Sequence, residues 1–154
     1  MIFASSKTIA CYLPFQSEFN SEPLIEVIWQ KNKICYLPIL TEKKSLYFVR
    51  YDQGDPLILN RYAIREPQNT AKIIPAEKLD LVMMPLLAFD LAGHRLGIGG
   101  GYYDKTFSFL HDHPTKKPLL IGLAYAAQQA EQLPADPWDI HLNGVVTEEG
   151  FVRF

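Results

Sequence analysis

Residues 80–104 read DLVMMPLLAFDLAGHRLGIGGGYYD. The first part, Asp80–Asp90, is strongly apolar and broken only by Pro85, which predicts a central buried strand with an irregular exit. The second part holds five of the nine glycines, between Gly93 and Gly101. It is followed by YYDKTFSFLH, Tyr102–His111, where Tyr103, Phe107 and Leu110 fall on one helical face. Strand, glycine loop and helix follow one another.

Working outward, the chain repeats that alternation. KTIACYLPF, Lys7–Phe15, predicts a buried strand ended by proline. SEPLIEVIWQK, Ser21–Lys31, predicts a helix capped by Ser21, with Glu22 and Pro23 in its first turn and Leu24, Ile25, Ile28 and Trp29 on one side. KICYLPIL, Lys33–Leu40, predicts a second strand. ACYLPFQSE echoes ICYLPILTE, 24 positions later. The unit reads as a compact βαβ, with Glu18 and Glu42 just past the carboxyl ends of neighbouring parallel strands. SLYFVRY, Ser45–Tyr51, predicts a strand, and Arg61–Ile73 a polar connecting loop. PLLIGLAY, Pro118–Tyr125, predicts another strand, Gln128–Gln132 a short helix or turn, and GVVTEEGFVRF, Gly144–Phe154, a hairpin turning at EEG. The expected fold is α/β: an open, mainly parallel, twisted sheet with flanking helices in a Rossmann-like three-layer arrangement, a C-terminal β-hairpin, and one domain over residues 1–154.

Composition narrows the partners. With 48% hydrophobic and 21% charged residues and a formal net charge of −2, the chain has no basic field for nucleic acid and no polybasic membrane patch. No apolar run approaches the roughly 20 residues of a membrane helix. No secretory leader is evident at Met1–Ala10. Cys11 and Cys35 form no C-x-x-C pair and read as small buried hydrophobes, in keeping with a reducing cytoplasm. A monomer with no nucleic-acid or membrane partner is expected.

An anionic ligand must therefore be held locally. Glycines permit positive φ and close approach to backbone N–H groups, a helix N-terminus adds partial positive charge, and Arg95 adds a guanidinium fork. The loop is neither G-x-x-x-x-G-K-[ST] nor G-x-G-x-x-G, since position 102 is tyrosine. A glycine turn that merely lets strand and helix pack is the alternative. Arg95 and Asp104 on either side favour an anion cradle, because the first neutralises phosphate and the second can hold Mg2+ bridging phosphates.

MPLLAFDLAGHRLGIGGGYYD closely resembles the signature of the 5-formyltetrahydrofolate cyclo-ligases, also called methenyltetrahydrofolate synthetases. YLPFQSE at Tyr12–Glu18, IREP at Ile64–Pro67 and DPWDIHLNGVVTE at Asp136–Glu148 extend the resemblance over nearly the whole chain. The resemblance implies an enzyme that uses ATP and Mg2+ to close 5-formyltetrahydrofolate into 5,10-methenyltetrahydrofolate. It implies that Arg95, Leu96, Gly97, Ile98, Gly99, Gly100, Gly101, Tyr102 and Tyr103 bind ATP, with Arg95 and Tyr103 closest to the chemistry. It implies that Leu13, Glu18 and part of the loop, Ile98–Tyr102, meet the folate, Glu18 pairing with the pterin. Asp104 and Asp139 are implied as Mg2+ ligands. Taken alone, Asp104 also reads as an ordinary first-turn carboxylate, Asp139 as a turn residue and Glu18 as a solvated loop charge. Tyr62 lies where some relatives carry an aromatic near adenine or folate. His94, His111, His113 and His141 fall outside the implied ligand set and read as structural or solvent-facing.

Family members usually carry a basic helical segment before the first strand whose Lys and Arg reach the phosphates. With the first strand near Lys7, those contacts are expected to be missing from this sequence. Three functions then compete: an active cyclo-ligase, a folate- or nucleotide-binding protein without turnover, and a sugar-phosphate isomerase on a similar scaffold. Arg95, Asp104, Asp139 and Glu18 together favour the first.

Overall fold

The computed structural model describes residues 1–113 and 116–154. A short helix α1 (Ile2–Ser5) leads into β1 (Thr8–Ala10), α2 (Glu22–Gln30), β2 (Ile34–Leu40) and β3 (Leu46–Arg50). A small hairpin, β4 (Leu57–Leu59) and β5 (Arg65–Pro67), precedes β6 (Ile73–Ile74) and the central β7 (Leu81–Met84). A second hairpin, β8 (Ala88–Phe89) and β9 (Arg95–Leu96), leads to α3 (Tyr102–Thr106), then β10 (Leu119–Leu123), β11 (Gly144–Thr147) and β12 (Gly150–Arg153).

The main sheet runs β12-β11-β10-β7-β1-β2-β3-β6. β11, β10, β7, β1 and β2 are mutually parallel, and β12, β3 and β6 add antiparallel edges. The chain steps from β1 to β2 in one direction, and later strands build outward from the other side of β1. Strand order therefore reverses between β1 and β7. In an open α/β sheet, the crevice outside the carboxyl ends of such a pair is where ligands sit.

Both faces of the central strands are covered. Leu81 and Met83 face one apolar cluster with Ile9, Cys11, Ile121 and the α2 residues Ile25 and Ile28. Val82 and Met84 face the other, with Ala10, Leu120, Phe107 and Leu110. That alternation is the period of two expected of a strand buried on both sides. Full burial of Ile25 or Ile28 contributes about 1.5–3 kcal/mol. The α/β class expected from the sequence is present, with few flanking helices. Among the described residues, no helix is long and apolar enough to cross a membrane.

Several expectations need correction. β1 ends at Ala10 rather than Phe15. Cys11 still donates to Tyr36 O at 2.9 Å. The chain then leaves the sheet, because Pro14 has no N–H and the Tyr12 hydroxyl bonds Phe19 O at 2.9 Å. Ser21 stands at the N-cap of α2 without capping it: its hydroxyl donates to Tyr12 O, and Asn20 Oδ1 accepts from Glu22 N instead. The sequence echo is not the strand register. Ile9, not Cys11, lies opposite Cys35. β2 turns straight back into antiparallel β3, so Glu42 stands exposed in that turn just past the end of β2 at Leu40, whereas Glu18 stands well along the loop that follows β1 at Ala10. Residues 61–73 are not all loop, since β5 pairs with β4. α3 is one turn shorter than its apolar face suggested. Thr106 Oγ1 bonds back to Tyr102 O at 2.6 Å and accepts Leu46 N at 2.8 Å, and a 3-10 turn, Ser108–Leu110, follows.

Candidate active site

Two loops meet over the reversal between β1 and β7. The first, Cys11–Ser21, is folded on its own backbone. Tyr12 is buried and reaches Phe19 O, the Ser21 hydroxyl reaches Tyr12 O, and Glu18 Oε2 accepts Phe15 N at 3.2 Å. Leu13 is buried there too. Phe19 packs on Tyr125, from the end of β10, with ring centroids 4.8 Å apart. In these aromatic surroundings, burial pushes the Glu18 carboxyl up to about 7, against the downward pull of the Phe15 N–H.

The second loop leaves β7 at Pro85. Its first part is the β8–β9 hairpin, whose turn is organised by Asp90. This carboxylate is 1% exposed and accepts four hydrogen bonds. Oδ1 takes Ala92 N and His94 N, and Oδ2 takes His94 Nδ1 and Leu133 N, all at 2.9–3.0 Å. Arg95 follows on β9. Its guanidinium is 9% exposed, bonds Asp104 Oδ1 at 3.1 Å and lies 5.7 Å from the Tyr103 ring centroid. Among the described residues, Arg95 Nε is buried without a protein partner. A buried donor left unpaired costs about 1–3 kcal/mol, so the atom is a group waiting for an acceptor. Gly97 passes so close to Arg95 that a Cβ would meet Nη1 at 3.2 Å.

Beyond Arg95 the loop is bare. Gly99, Gly100 and Gly101 are exposed, with Leu96 and Ile98 about half exposed. Gly99 and Gly101 have φ of +103° and +69°, with open space where a Cβ would be. Glycine is needed there for backbone direction rather than room. α3 is only five residues long, so its dipole adds less than a full helix would. The loop's own N–H groups and Arg95 carry the positive field.

Tyr103 joins the two loops. It lies against Arg95, and its hydroxyl is pushed well above the usual phenol range by burial and by the Glu18 charge, with Arg95 pulling the other way. Tyr102 points elsewhere. Its hydroxyl is raised first by the neighbouring Tyr62 hydroxyl, and Arg61, stacked over Tyr62 at 4.9 Å, stands beside it. The turn of the β4–β5 hairpin thus reaches the start of α3.

Asp104 Oδ1 also accepts Ile140 N at 3.0 Å, which brings the Asp139–Ile140 segment beside α3. Asp104 Oδ2 has no partner among the described residues. Asp139 Oδ2 accepts Asp136 N at 2.8 Å and closes its own turn. Among the described residues, no three His, Cys, Asp or Glu side chains form a preformed metal cage. His94 bonds Asp90 and meets His141 edge-on at 4.7 Å, His111 Nε2 lies 3.1 Å from Trp138 O, and His113 is exposed.

Sequence reasoning missed Asp90, reading it as the end of an apolar strand. The signal was there: an aspartate closing an apolar run before L-A-G-H is an Asx-turn pattern. It also missed Tyr12 and Arg61, whose placement depends on contacts remote in sequence.

A sequence model of the 5-formyltetrahydrofolate cyclo-ligase family matches residues 1–148. The 5-formyltetrahydrofolate cyclo-ligase of Haemophilus influenzae is 41% identical over 140 residues, covering 89% of this chain and 73% of that protein. The Escherichia coli K12 protein of the same name is 39% identical over 143 residues, covering 91% and 77%. The solution structure of Aquifex aeolicus 5,10-methenyltetrahydrofolate synthetase superposes with a TM-score of 0.79 at 34% identity, covering 98% of this chain and 73% of that one. A Mycoplasma pneumoniae 5,10-methenyltetrahydrofolate synthetase gives 0.68 at 27% identity, covering 94% and 75%. Matched from its first residue through β11, with the glycine loop and both acidic segments inside the match, the chain belongs to the 5-formyltetrahydrofolate cyclo-ligase family.

Proposed function

We propose that the protein converts 5-formyltetrahydrofolate to 5,10-methenyltetrahydrofolate, with MgATP as co-substrate and ADP and phosphate as products. The observation that carries this reading is made at Tyr103, whose ring lies 5.7 Å from the Arg95 guanidinium of one loop and whose hydroxyl feels the Glu18 charge of the other. A carboxylate suited to a polar ring and a cation suited to phosphate are thereby held within reach of one substrate pair.

In this reading the formyl oxygen attacks the γ-phosphorus as the bond to ADP breaks. N10 then adds to the formyl carbon, loses its proton, and phosphate leaves with the former formyl oxygen. Neither step needs a protein nucleophile. Both buried cysteines are unsuited to be one: Cys11 is pushed up to about 12 by burial, and Cys35 is raised for the same reason. What is needed is alignment and charge neutralisation. Arg95 and the N–H groups of residues 97–101 neutralise phosphate. Leu13 and Tyr12 wall the folate. Glu18 accepts two N–H bonds from the amino-pyrimidine, which draws its carboxyl back to the charged form.

Asp104 and Asp139 would hold Mg2+. Among the described residues, each has one carboxylate oxygen committed within the protein and one without a partner, which suits an ion held by one or two carboxylates plus substrate phosphates. When bound, Mg2+ spreads the phosphate charge during transfer.

The test is the near-ultraviolet absorbance of methenyltetrahydrofolate, followed with 5-formyltetrahydrofolate and MgATP. Product that requires both, and that falls at least a hundredfold in Asp104→Ala, is the expected result. No product, with thermal stabilisation by the folate and none by MgATP, would assign binding without turnover.

A further inference from the structure

We infer that Asp90 is the positioning residue for Arg95, and that it ties the loop carrying this cation to the two segments that frame its other side. The inference rests on the reading of Arg95 as the phosphate-facing cation. Four observations carry it.

First, the hairpin that delivers Arg95 is too short to fix a side chain by sheet pairing. Ala88 pairs with Leu96 and Phe89 with Arg95, and the ladder ends there. Second, Asp90 directly follows Phe89, and its carboxylate closes the turn. It accepts Ala92 N, His94 N and His94 Nδ1, while its own N–H bonds His94 O at 3.1 Å. Third, the same carboxylate reaches outside the hairpin to Leu133 N, and Phe89 O accepts Ala130 N at 2.7 Å. Fourth, His94, held by Asp90, meets His141 edge-on, and Gly93 O accepts Leu142 N at 2.9 Å. Ile140 in that segment bonds Asp104, the partner of Arg95. Hydrogen bonds, the His94–His141 ring contact and the chain itself therefore link Asp90 through His94 and the 140–142 segment to Asp104 and Arg95. Burial alone would push the Asp90 carboxyl up, yet the donors, Leu133 N foremost, hold it below the usual range.

All four groups facing Asp90 are donors. An ionised carboxylate accepts from all of them, whereas an amide presents N–H where an acceptor is required, whichever way it is turned. Asp90→Asn therefore keeps the shape and breaks the network.

The experiment uses the full chain, with Asp90→Asn, Arg95→Ala and the double variant assayed against both substrates, thermal melts alongside. Asp90→Asn is expected to raise KM for MgATP at least tenfold while KM for the folate stays within threefold. In the Arg95→Ala background it should lower kcat/KM by less than threefold, since the group it acts through is gone. A full multiplicative loss in that background would overturn the inference. So would a fall in active fraction with both KM values intact, which is all a purely structural role would give. The Arg95 Nε–H proton resonance separates this inference from the reading beneath it. It should shift or broaden in Asp90→Asn, and an unchanged signal overturns the positioning role. If Arg95→Ala leaves MgATP kinetics untouched while the signal still moves, the phosphate reading of Arg95 fails and the positioning holds. Should Asp90→Asn not fold, His94→Phe removes the donor from the other side and should reproduce the MgATP effect. His94→Asn, which keeps a donor near the place of Nδ1, should restore most of it; no difference between these two variants would overturn the inference.

Discussion

The loop after β1 and the loop after β7 leave parallel neighbouring strands at the same edge of the sheet, yet they are built on different principles. Cys11–Ser21 is held by packing and by hydrogen bonds to its own backbone, and its one charge, Glu18, sits among aromatic rings that make the charge costly. Pro85–Gly101 is held by a buried carboxylate with four donors and by an ion pair, and then opens into an exposed glycine tip. The first is a rigid wall with a carboxyl poised to be satisfied by a ligand's N–H groups. The second is a fixed base carrying a bare strip of backbone. A flat polar ring is best met by the former, and a mobile polyanion by the latter.

The comparison is broken most sharply at Arg95. Arg95→Ala removes the cation and leaves Asp104 facing an empty space. With loss of one preorganised charge-stabilising donor worth about 10²–10³ in rate, kcat/KM should fall by that order, read from methenyltetrahydrofolate formation. A loss under tenfold would mean the second loop does not hold the reacting anion.

Glu18→Gln tests the first loop through two opposite effects. KM for the folate should rise about tenfold or more, because a charge-assisted pair becomes neutral. Stability should move the other way. The Glu18 carboxyl is raised from its ordinary 4.5 to about 7, so the folded chain binds more protons than the unfolded chain across that window. Wild-type stability therefore declines as pH rises from 4.5 to 7, and the glutamine variant escapes the decline. At pH 8 the variant should melt higher by a few degrees, about 1–2 kcal/mol after allowing for partial exposure, and the gap should close toward pH 4.5.

Two glycines sharpen the contrast within the second loop. Gly93, at φ +88°, would place a Cβ 3.0 Å from Leu142 O. Gly93→Ala should cost about 2 kcal/mol and lower Tm by several degrees. Gly99→Ala meets open space, so Tm should barely change, while strain at φ +103° redirects the tip and should raise KM for MgATP about fivefold. Similar losses of Tm in both would erase the division between fixed base and bare tip. The smallest effect belongs to Glu42→Gln. Its exposed turn position predicts less than a twofold change in either KM, and a larger one would restore the symmetric pair of glutamates that the strand echo suggests.

By itself, the amino-acid sequence determined the α/β class, the central strand at Leu81–Met84, the C-terminal hairpin and the glycine loop with its flanking Arg95 and Asp104. These follow from local physics: apolar runs of strand length, turn residues, and glycines whose φ only they adopt readily. It also determined the family resemblance, because the signature is contiguous. Only the tertiary structure decided which carboxylates matter where. Glu18 and Glu42 have the same local setting, but Glu42 stands exposed in the turn into β3, while the loop after β1 partly buries Glu18. Asp90 looks like a strand end until Leu133, 43 residues later, supplies a donor to it. Tyr62 and Arg61 acquire a place only when a hairpin brings them to Tyr102. For Asp90 and for Tyr102 the deciding contact pairs a buried or crowded polar group with a partner distant in the chain. Such pairings leave no periodic trace in sequence.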